Sequence, residues 1–278
     1  MKKIPPTGVM LGVLAVVLAL LVLSGLPGPK AASQAAATPT SKASVFTETF
    51  GDQSLSQWQA YQNWHGEVIA VPAENAVVGD GTLDLGISPD PEFDPEEGEY
   101  NNVFLLSTTP LTAPTATTKM VAEFLVTGSK GYEGSFGFWI QKRGTFTGQG
   151  VMASNGGFTG GAFGLSFLSP ESEGSGMAGL RFSFVRGWLP TCNLRVVGVD
   201  PTETNVFRIE WSSLGWAGYA NGGLVGTCAG QGFETGEIQL WADNYYLPYI
   251  WELGVQNPSS HQSARFGPIS IWLEESSQ

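Results

Sequence analysis

The segment FRIEWSSLGWAGYANGGLVGT, residues 207–227, carries the clearest structural signal in the chain. Its first part alternates apolar and polar side chains: Phe207, Ile209 and Trp211 alternate with Arg208 and Glu210. A period of two is typical of a β-strand with one buried face. The Asn221-Gly222 pair lies between two strand-like runs and favours a type I′ turn, because both residues tolerate a positive φ. The segment therefore predicts antiparallel strands joined by a tight hairpin.

The chain after residue 43 repeats this pattern and shows no convincing helical stretch. Its short alternating runs are separated by turn signals such as Asp80-Gly81, and the sequence contains 37 glycines. In GSFGFWIQKR, residues 134–143, Phe136, Phe138 and Ile140 share one face while Trp139 and Gln141 share the other. Because many runs have one apolar face, we predict an all-β fold of two sheets packed face to face. Residues 44–278 are long enough for one large sandwich domain.

The order of these segments resembles the concanavalin A-like lectin/glucanase superfamily, which includes laminin G-like domains and family 16 glycoside hydrolases. The resemblance covers most of residues 45–275. It is carried by FGDQSLSQWQ, GDGTLDLGI, LLSTTPL, FGFWI, EIQLWADN and, above all, FRIEW…YANGGLV. It implies a two-sheet jelly-roll β-sandwich. Fold alone does not decide between carbohydrate binding and hydrolysis.

The N-terminus is typical of a targeting segment. Two lysines precede an uncharged apolar run within residues 1–26, which predicts a signal peptide or an uncleaved signal anchor. Residues 27–43 are rich in Pro, Ala, Ser and Thr and predict a flexible linker. We therefore expect an extracytoplasmic domain, either secreted or anchored by its N-terminal segment, which would be its membrane contact.

Charge and cysteine content narrow the partners further. All 25 acidic residues lie in residues 44–278, whereas only nine of the 13 basic residues do. This excess of negative charge disfavours nucleic acid as a partner. Cys192 and Cys228 are the two cysteines, and in an oxidising compartment a single pair most simply forms a disulfide.

The acidic stretch SPDPEFDPEEGEYNN, residues 88–102, permits three interpretations. Glu92 and Glu97 fit the E-x-D-x-x-E spacing of the family 16 catalytic signature and are weak candidate catalytic residues. However, the stretch precedes FGFWI, whereas the resemblance implies that the signature follows it, and QKRGTFTGQGVMASNGGFTGGAFGLSF has no acidic residue. Asp90, Asp94 and Glu96 are alternatively candidate ligands of a structural Ca²⁺, which prefers clustered oxygens. A solvated loop is the third interpretation.

Aromatic residues provide the other candidate site. Sugar rings stack on aromatic faces while neighbouring polar groups bind their hydroxyls. The candidate ligand-binding residues are Trp139, Gln141, Arg181, Trp241, Asp243, Asn244 and Tyr246. We therefore expect carbohydrate or glycoconjugate recognition on the concave sheet face. A glycoside hydrolase or lyase, and a structural or adhesive cell-surface domain with protein partners, are the alternatives.

Overall fold

Two antiparallel β-sheets pack face to face in the computed structural model of the protein, which describes residues 42–64, 67–69, 73–94, 101–144, 158–187, 189–230, 232–249 and 252–276. The strands in chain order are β1 (Ala43–Glu48), β2 (Trp58–Trp64), β3 (Glu67–Ile69), β4 (Ala76–Gly79), β5 (Thr82–Ile87), β6 (Asn102–Ser107), β7 (Leu111–Thr112), β8 (Thr118–Gly128), β9 (Ser135–Lys142), β10 (Phe158–Leu168), β11 (Gly179–Gly187), β12 (Leu189–Arg195), β13 (Asn205–Ser212), β14 (Gly215–Ala220), β15 (Gly223–Cys228), β16 (Thr235–Asp243), β17 (Tyr245–Tyr249), β18 (Glu252–Val255) and β19 (Gln262–Glu275). Two short 3₁₀-helices cover Ala73–Asn75 and Pro170–Ser175.

The first sheet has the strand order β15-β14-β13-β8-β19-β5-β4, with β1 also paired to β19. The second sheet has the order β12-β11-β10-β9-β16-β6-β2-β3, with β7 also paired to β16. Strands β17 and β18 form a separate pair. The predicted all-β, two-sheet sandwich is confirmed.

The hairpin that the sequence predicted joins β14 and β15. Asn221 and Gly222 have φ values of 48° and 81°, as a type I′ turn requires. The Asn221 side chain also accepts a hydrogen bond from the Val206 backbone N–H at 3.0 Å, which ties the turn to β13. Asp80 and Gly81 likewise have positive φ values, 52° and 73°, and join β4 to β5. Both predicted turns are confirmed.

The core lies between the sheets and is built largely from aromatic rings. Phe124 in the first sheet stacks on Phe138 in the second, with ring centroids 3.9 Å apart. Trp211 stacks on Trp216 at 4.7 Å at another point of the core. Burying a side chain such as Phe138 stabilises the fold by about 1.5–3 kcal/mol. The inward side chains of both sheets therefore hold the sandwich together.

A disulfide joins the two sheets at one edge. Cys192 in β12 and Cys228 in β15 are bonded, with their Cα atoms 5.8 Å apart. Because β12 and β15 are edge strands of different sheets, the bond fastens the sandwich where backbone pairing ends. The predicted pairing is confirmed.

The N-terminal predictions concern residues that the structure does not describe. The signal or anchor segment, residues 1–26, and the linker up to residue 41 lie outside the described ranges. Within those ranges, no helix is long and apolar enough to cross a membrane.

Removing the disulfide should lower stability substantially. The bond closes a loop with a sequence separation of 36 residues, and a loop of this size is worth about 3–4 kcal/mol in unfolded-state entropy. We expect the double variant Cys192→Ala/Cys228→Ala to lose about that much free energy of unfolding in urea titrations. Wild-type protein in reductant is the matched control and should fall to the same value. Equal stability of the oxidised and reduced forms would contradict this role.

Candidate functional site

The outer face of the second sheet presents side chains in rows that run across the strands. Cross-strand partners define a central row: Tyr61, Phe104, Trp241, Gly137, Ser166, Arg181 and Arg195. The neighbouring upper row contains Gln59, Leu106, Gln239, Trp139, Gly164, Ser183 and Asn193. Beyond it, Glu237 pairs with Gln141. Alternation places these side chains opposite the core-facing residues of the same strands.

Two tryptophans contact each other at the centre of this face. Trp139 and Trp241 pack edge to face, with ring centroids 4.8 Å apart. Trp139 Nε1 donates to Ser166 Oγ at 2.9 Å, and Trp241 Nε1 donates to Ser135 Oγ at 3.4 Å. The two residues are 7% and 6% exposed, respectively. The apolar cluster to which they belong is separate from the main core and also contains Phe104, Leu106, Ala162 and Val185. The indoles are therefore held in fixed orientations and expose little surface.

Two glycines allow the indole rings to lie close to the sheet. A Cβ on Gly137 would lie 2.2 Å from Trp241 Cη2, and one on Gly164 would lie 2.3 Å from Trp139 Cδ1. The same atoms would also clash with backbone oxygens, those of Leu165 and Phe138. The absence of a side chain at these two positions thus sets the height of both tryptophans above the strands.

A cluster of hydrogen-bond acceptors lies beside the tryptophans. Gln141 Nε2 donates to Glu237 Oε1 at 2.9 Å, which fixes the orientation of the amide. The Oε1 atoms of Gln141 and Gln239 are buried and have no hydrogen-bond partner among the described residues. Glu237 is 6% exposed, and no described residue donates to its second oxygen. Since an unsatisfied buried acceptor costs about 1–3 kcal/mol, the two amide oxygens require an explanation.

A pair of arginines ends the central row at the sheet edge. Arg181 in β11 and Arg195 in β12 are direct cross-strand partners. The Arg181 guanidinium donates to the backbone oxygens of Met177, at 2.9 Å, and of Gly176. Burial and, second, the like charge of Arg195 lower the pKa of Arg181 from its ordinary value. Both arginines line a cavity of about 300 Å³, together with Glu173.

Asp243 and Asn244, two predicted ligand residues, belong to a buried polar network. Asp243 Oδ1 accepts from the backbone N–H and the hydroxyl of Ser135, at 3.1 and 2.7 Å, and from the Tyr245 N–H at 3.3 Å. The Asn244 side chain accepts from the Asn101 N–H at 2.9 Å. Burial first, and then the charge of Asp243, raise the pKa of Tyr245. These contacts give Asp243 and Asn244 a structural role at the end of the sheet.

The acidic loop is described only as far as residue 94. Asp90 is buried, and its carboxylate accepts from the Glu92 N–H at 2.9 Å and from Asn101 Nδ2 at 3.2 Å. Glu92 and Asp94 are exposed. The other two candidates, Glu96 and Glu97, lie outside the described residues, so catalysis and calcium binding by this loop stay predictions. Within the described ranges, no three His, Cys, Asp or Glu side chains are grouped closely enough to hold a metal ion.

The strand that follows FGFWI is β10, where the resemblance implies the catalytic acids of family 16. Its outward positions at the centre of the sheet are Gly164 and Ser166. On the outer face of the described strands β6, β9, β10, β11 and β16, the carboxylates are Glu237 and Asp243. Six residues along one strand separate them by about 20 Å.

The structure therefore brings together four of the predicted ligand residues: Trp139, Gln141, Arg181 and Trp241. The side chain of Tyr246 lies outside the described residues. Sequence reasoning missed Glu237, although alternation in GEIQLWADN places it on the face of Trp241. It also missed Gln239, for which the same signal was available. Arg195 was missed because only the β11–β12 register places it next to Arg181.

Several solved structures share the fold. An endo-acting O-glycanase of the human gut microbiota is 13% identical, and the match covers 84% of this chain and 100% of that chain, with a TM-score of 0.59. The endo-β-1,3-glucanase from Pyrococcus furiosus is 14% identical, with 85% and 96% covered and a TM-score of 0.59. A family 16 glycosyl hydrolase from Mycobacterium smegmatis is 12% identical, with 83% and 100% covered and a TM-score of 0.55.

These likenesses confirm the jelly-roll sandwich that the sequence resemblance implied. At identities of 12–14% they establish the fold alone. No family model and no curated protein matches the sequence.

The glycines beneath the tryptophans provide a test of this geometry. We expect Gly164→Ala to lower the free energy of unfolding by at least about 1–3 kcal/mol, because its Cβ would lie 2.1 Å from the Phe138 carbonyl oxygen. Gly79→Ala in β4 is the matched control, since a Cβ there meets nothing within 4 Å. Thermal denaturation of both variants measures the difference, and a fully stable Gly164→Ala protein would contradict the close approach of Gly164 to the β9 backbone.

Proposed function

We propose that the domain binds a carbohydrate through the outer face of its second sheet. The observation that carries this proposal is the pair of buried, unpartnered amide oxygens on Gln141 and Gln239. Exchanging the positions of the Gln141 amide oxygen and nitrogen would not remove the unsatisfied acceptor, because the nitrogen already donates to Glu237. Its oxygen therefore has no donor among the described residues.

Sugar hydroxyls have the chemistry that this cluster lacks. Each hydroxyl donates one hydrogen bond, and Gln141, Gln239 and the second oxygen of Glu237 together provide at least three acceptors. A ligand that satisfies buried acceptors recovers the free energy that they cost in the free protein. The site thus favours binding of a ligand with several hydroxyls on adjacent atoms, which is the pattern of a saccharide.

The tryptophans contribute shape to the proposed site. Hydrogen bonds to Ser166 and Ser135 already fix the orientations of Trp139 and Trp241. Binding a ligand therefore does not have to order these two side chains. Their exposed fraction is small, and a sugar would contact ring edges while its hydroxyls engage the acceptors. This arrangement combines rigid aromatic surface with a few directional polar groups, as is typical of small-ligand sites.

The alternative function is hydrolysis, which is considered because the fold is similar to that of solved glucanases. Retaining glycosidases need two carboxyls about 5–5.5 Å apart, and inverting enzymes need about 6.5–9.5 Å. Glu237 and Asp243 are about 20 Å apart along β16, and Asp243 is engaged by Ser135 and Tyr245. Recognition without cleavage is therefore the function that this geometry supports better.

We also propose that the domain acts outside the cytoplasm. The Cys192–Cys228 disulfide supports this location, because such bonds persist mainly in oxidising compartments. The apolar N-terminal segment of the sequence supports it independently.

Replacing Gln239 separates binding from stability. Gln239→Met keeps the volume but removes an unsatisfied acceptor, so we expect unchanged or slightly higher stability, by up to about 1 kcal/mol. Loss of a hydrogen bond to the sugar should raise the dissociation constant roughly tenfold. A glycan array identifies the ligand, and calorimetry compares the variants. Gln53→Met, at an exposed loop position before β2, is the control. An unchanged affinity in Gln239→Met would contradict the proposal.

Hydrolysis is tested on the same glycans. We expect no release of reducing ends by the wild-type protein during prolonged incubation with any glycan that it binds. Activity that disappears in Glu237→Gln would establish a hydrolase centred on β16. Activity that disappears in Glu92→Gln or Glu97→Gln would instead assign it to the acidic loop.

A further inference from the structure

The arginine pair at the end of the central row places two like charges side by side, although Arg181 also donates to the Met177 and Gly176 carbonyls. Arg181 and Arg195 are directly opposed across β11 and β12, and like charges in this position destabilise a sheet. Neither belongs to the ion pairs of the described residues, which join Lys119, Arg208 and Arg265 to acids of the first sheet. A repulsive pair whose members form no ion pair among the described residues favours a role in binding.

The pair provides the hydrogen-bond donors that an oxyanion site needs. The two Arg181 contacts with the Met177 and Gly176 carbonyls hold its guanidinium in place and leave further N–H donors unused. Arg195 is exposed and lines the same cavity of about 300 Å³. One guanidinium fixed by hydrogen bonds and one exposed guanidinium can bind a planar or tetrahedral oxyanion through charge-assisted hydrogen bonds.

The position of the cavity links it to the proposed glycan face. Arg181 lies in the same cross-strand row as Ser166, Gly137 and Trp241. Three interstrand steps separate Arg181 from Trp241, which corresponds to about 14 Å. A ligand that contacts both Arg181 and Trp241 must be longer than one sugar ring and must carry its negative charge at the β11 end.

We infer that the domain recognises an acidic glycan, whose sulfate or carboxylate group is bound by Arg181 and Arg195 while its hydroxyls engage the outer face of the second sheet. This inference rests on the proposed carbohydrate binding. The chain has 25 acidic and 13 basic residues, so its net negative charge would repel such a ligand. Its recognition therefore has to be local, at the paired arginines.

The lowered pKa of Arg181 agrees with this assignment. Burial and the neighbouring Arg195 disfavour the charged guanidinium, and a bound anion would relieve both effects. Among the described residues, Glu173 is the one acid that lines the cavity. Its carboxylate competes with an anionic ligand, so neutralising it should strengthen binding.

The experiment compares wild-type protein with Arg195→Gln, Glu173→Gln and Arg265→Gln. Arg195 is exposed, so its replacement should leave the thermal transition unchanged or slightly raised. Arg265→Gln makes the same change in net charge on the outer face of the first sheet, where Arg265 pairs with Asp84, and is the matched control. The probes are a glycan array with neutral, sulfated and uronate-containing oligosaccharides, followed by calorimetry with dextran sulfate against dextran and oligogalacturonide against its methyl ester.

The inference predicts tighter binding of one acidic member than of its neutral match, weakening with added salt because the arginine charges are screened. Arg195→Gln should weaken that binding roughly tenfold or more, Glu173→Gln should strengthen it, and Arg265→Gln should leave it unchanged. Preference for the sulfated or the uronate pair identifies the oxyanion. Equal binding of neutral and acidic glycans, unaffected by Arg195→Gln, would overturn the inference and leave carbohydrate binding intact. Absence of any glycan binding would overturn both.

Discussion

The stacking of Phe138 on Phe124, at 3.9 Å across the interface between the sheets, determines how the second sheet presents its side chains. Because strand residues alternate, an inward Phe138 forces Gly137, Trp139 and Gln141 outward. The register of β9 with β10 and β16 then places the partner residues of all three on the same outer face. A slip of one residue would bury the polar cluster in the core and expose the phenylalanines. The strand register therefore determines both the packing of the core and the composition of the candidate site.

The outer face combines features that a purely structural surface would avoid. Among the described residues it contains buried acceptors without donors, opposed arginines without an ion pair, and glycines whose space is filled by tryptophan rings from the adjoining strands. The unsatisfied acceptors and the opposed like charges cost stability in the free protein. The outer face of the first sheet differs in its charges, because there Arg265 is paired with Asp84 and Arg208 with Glu210, although Arg208 Nε is also buried without a partner among the described residues. The contrast between the two faces is the physical basis for assigning ligand binding to the second sheet.

Local sequence signals were sufficient for the fold and for part of the site. Alternation and the Asn221-Gly222 turn predicted the β-sandwich, and alternation in GSFGFWIQKR placed Trp139 and Gln141 on the face opposite the core. Arg195 could not be predicted, since its position beside Arg181 depends on a strand pairing that leaves no local pattern. The structural engagement of Asp243 by Ser135, 108 residues away in sequence, was inaccessible for the same reason.

The central claim is that a saccharide contacts the outer face of the second sheet, and nuclear magnetic resonance tests it most directly. Titration with an oligosaccharide can be followed on the indole N–H signals of the tryptophans and the side-chain amide signals of the glutamines. The account predicts that Trp139, Trp241, Gln141 and Gln239 shift in a saturable manner while Trp211 and Trp216, buried in the core, do not. Shifts confined to residues of the first sheet, or none with any glycan, would contradict it.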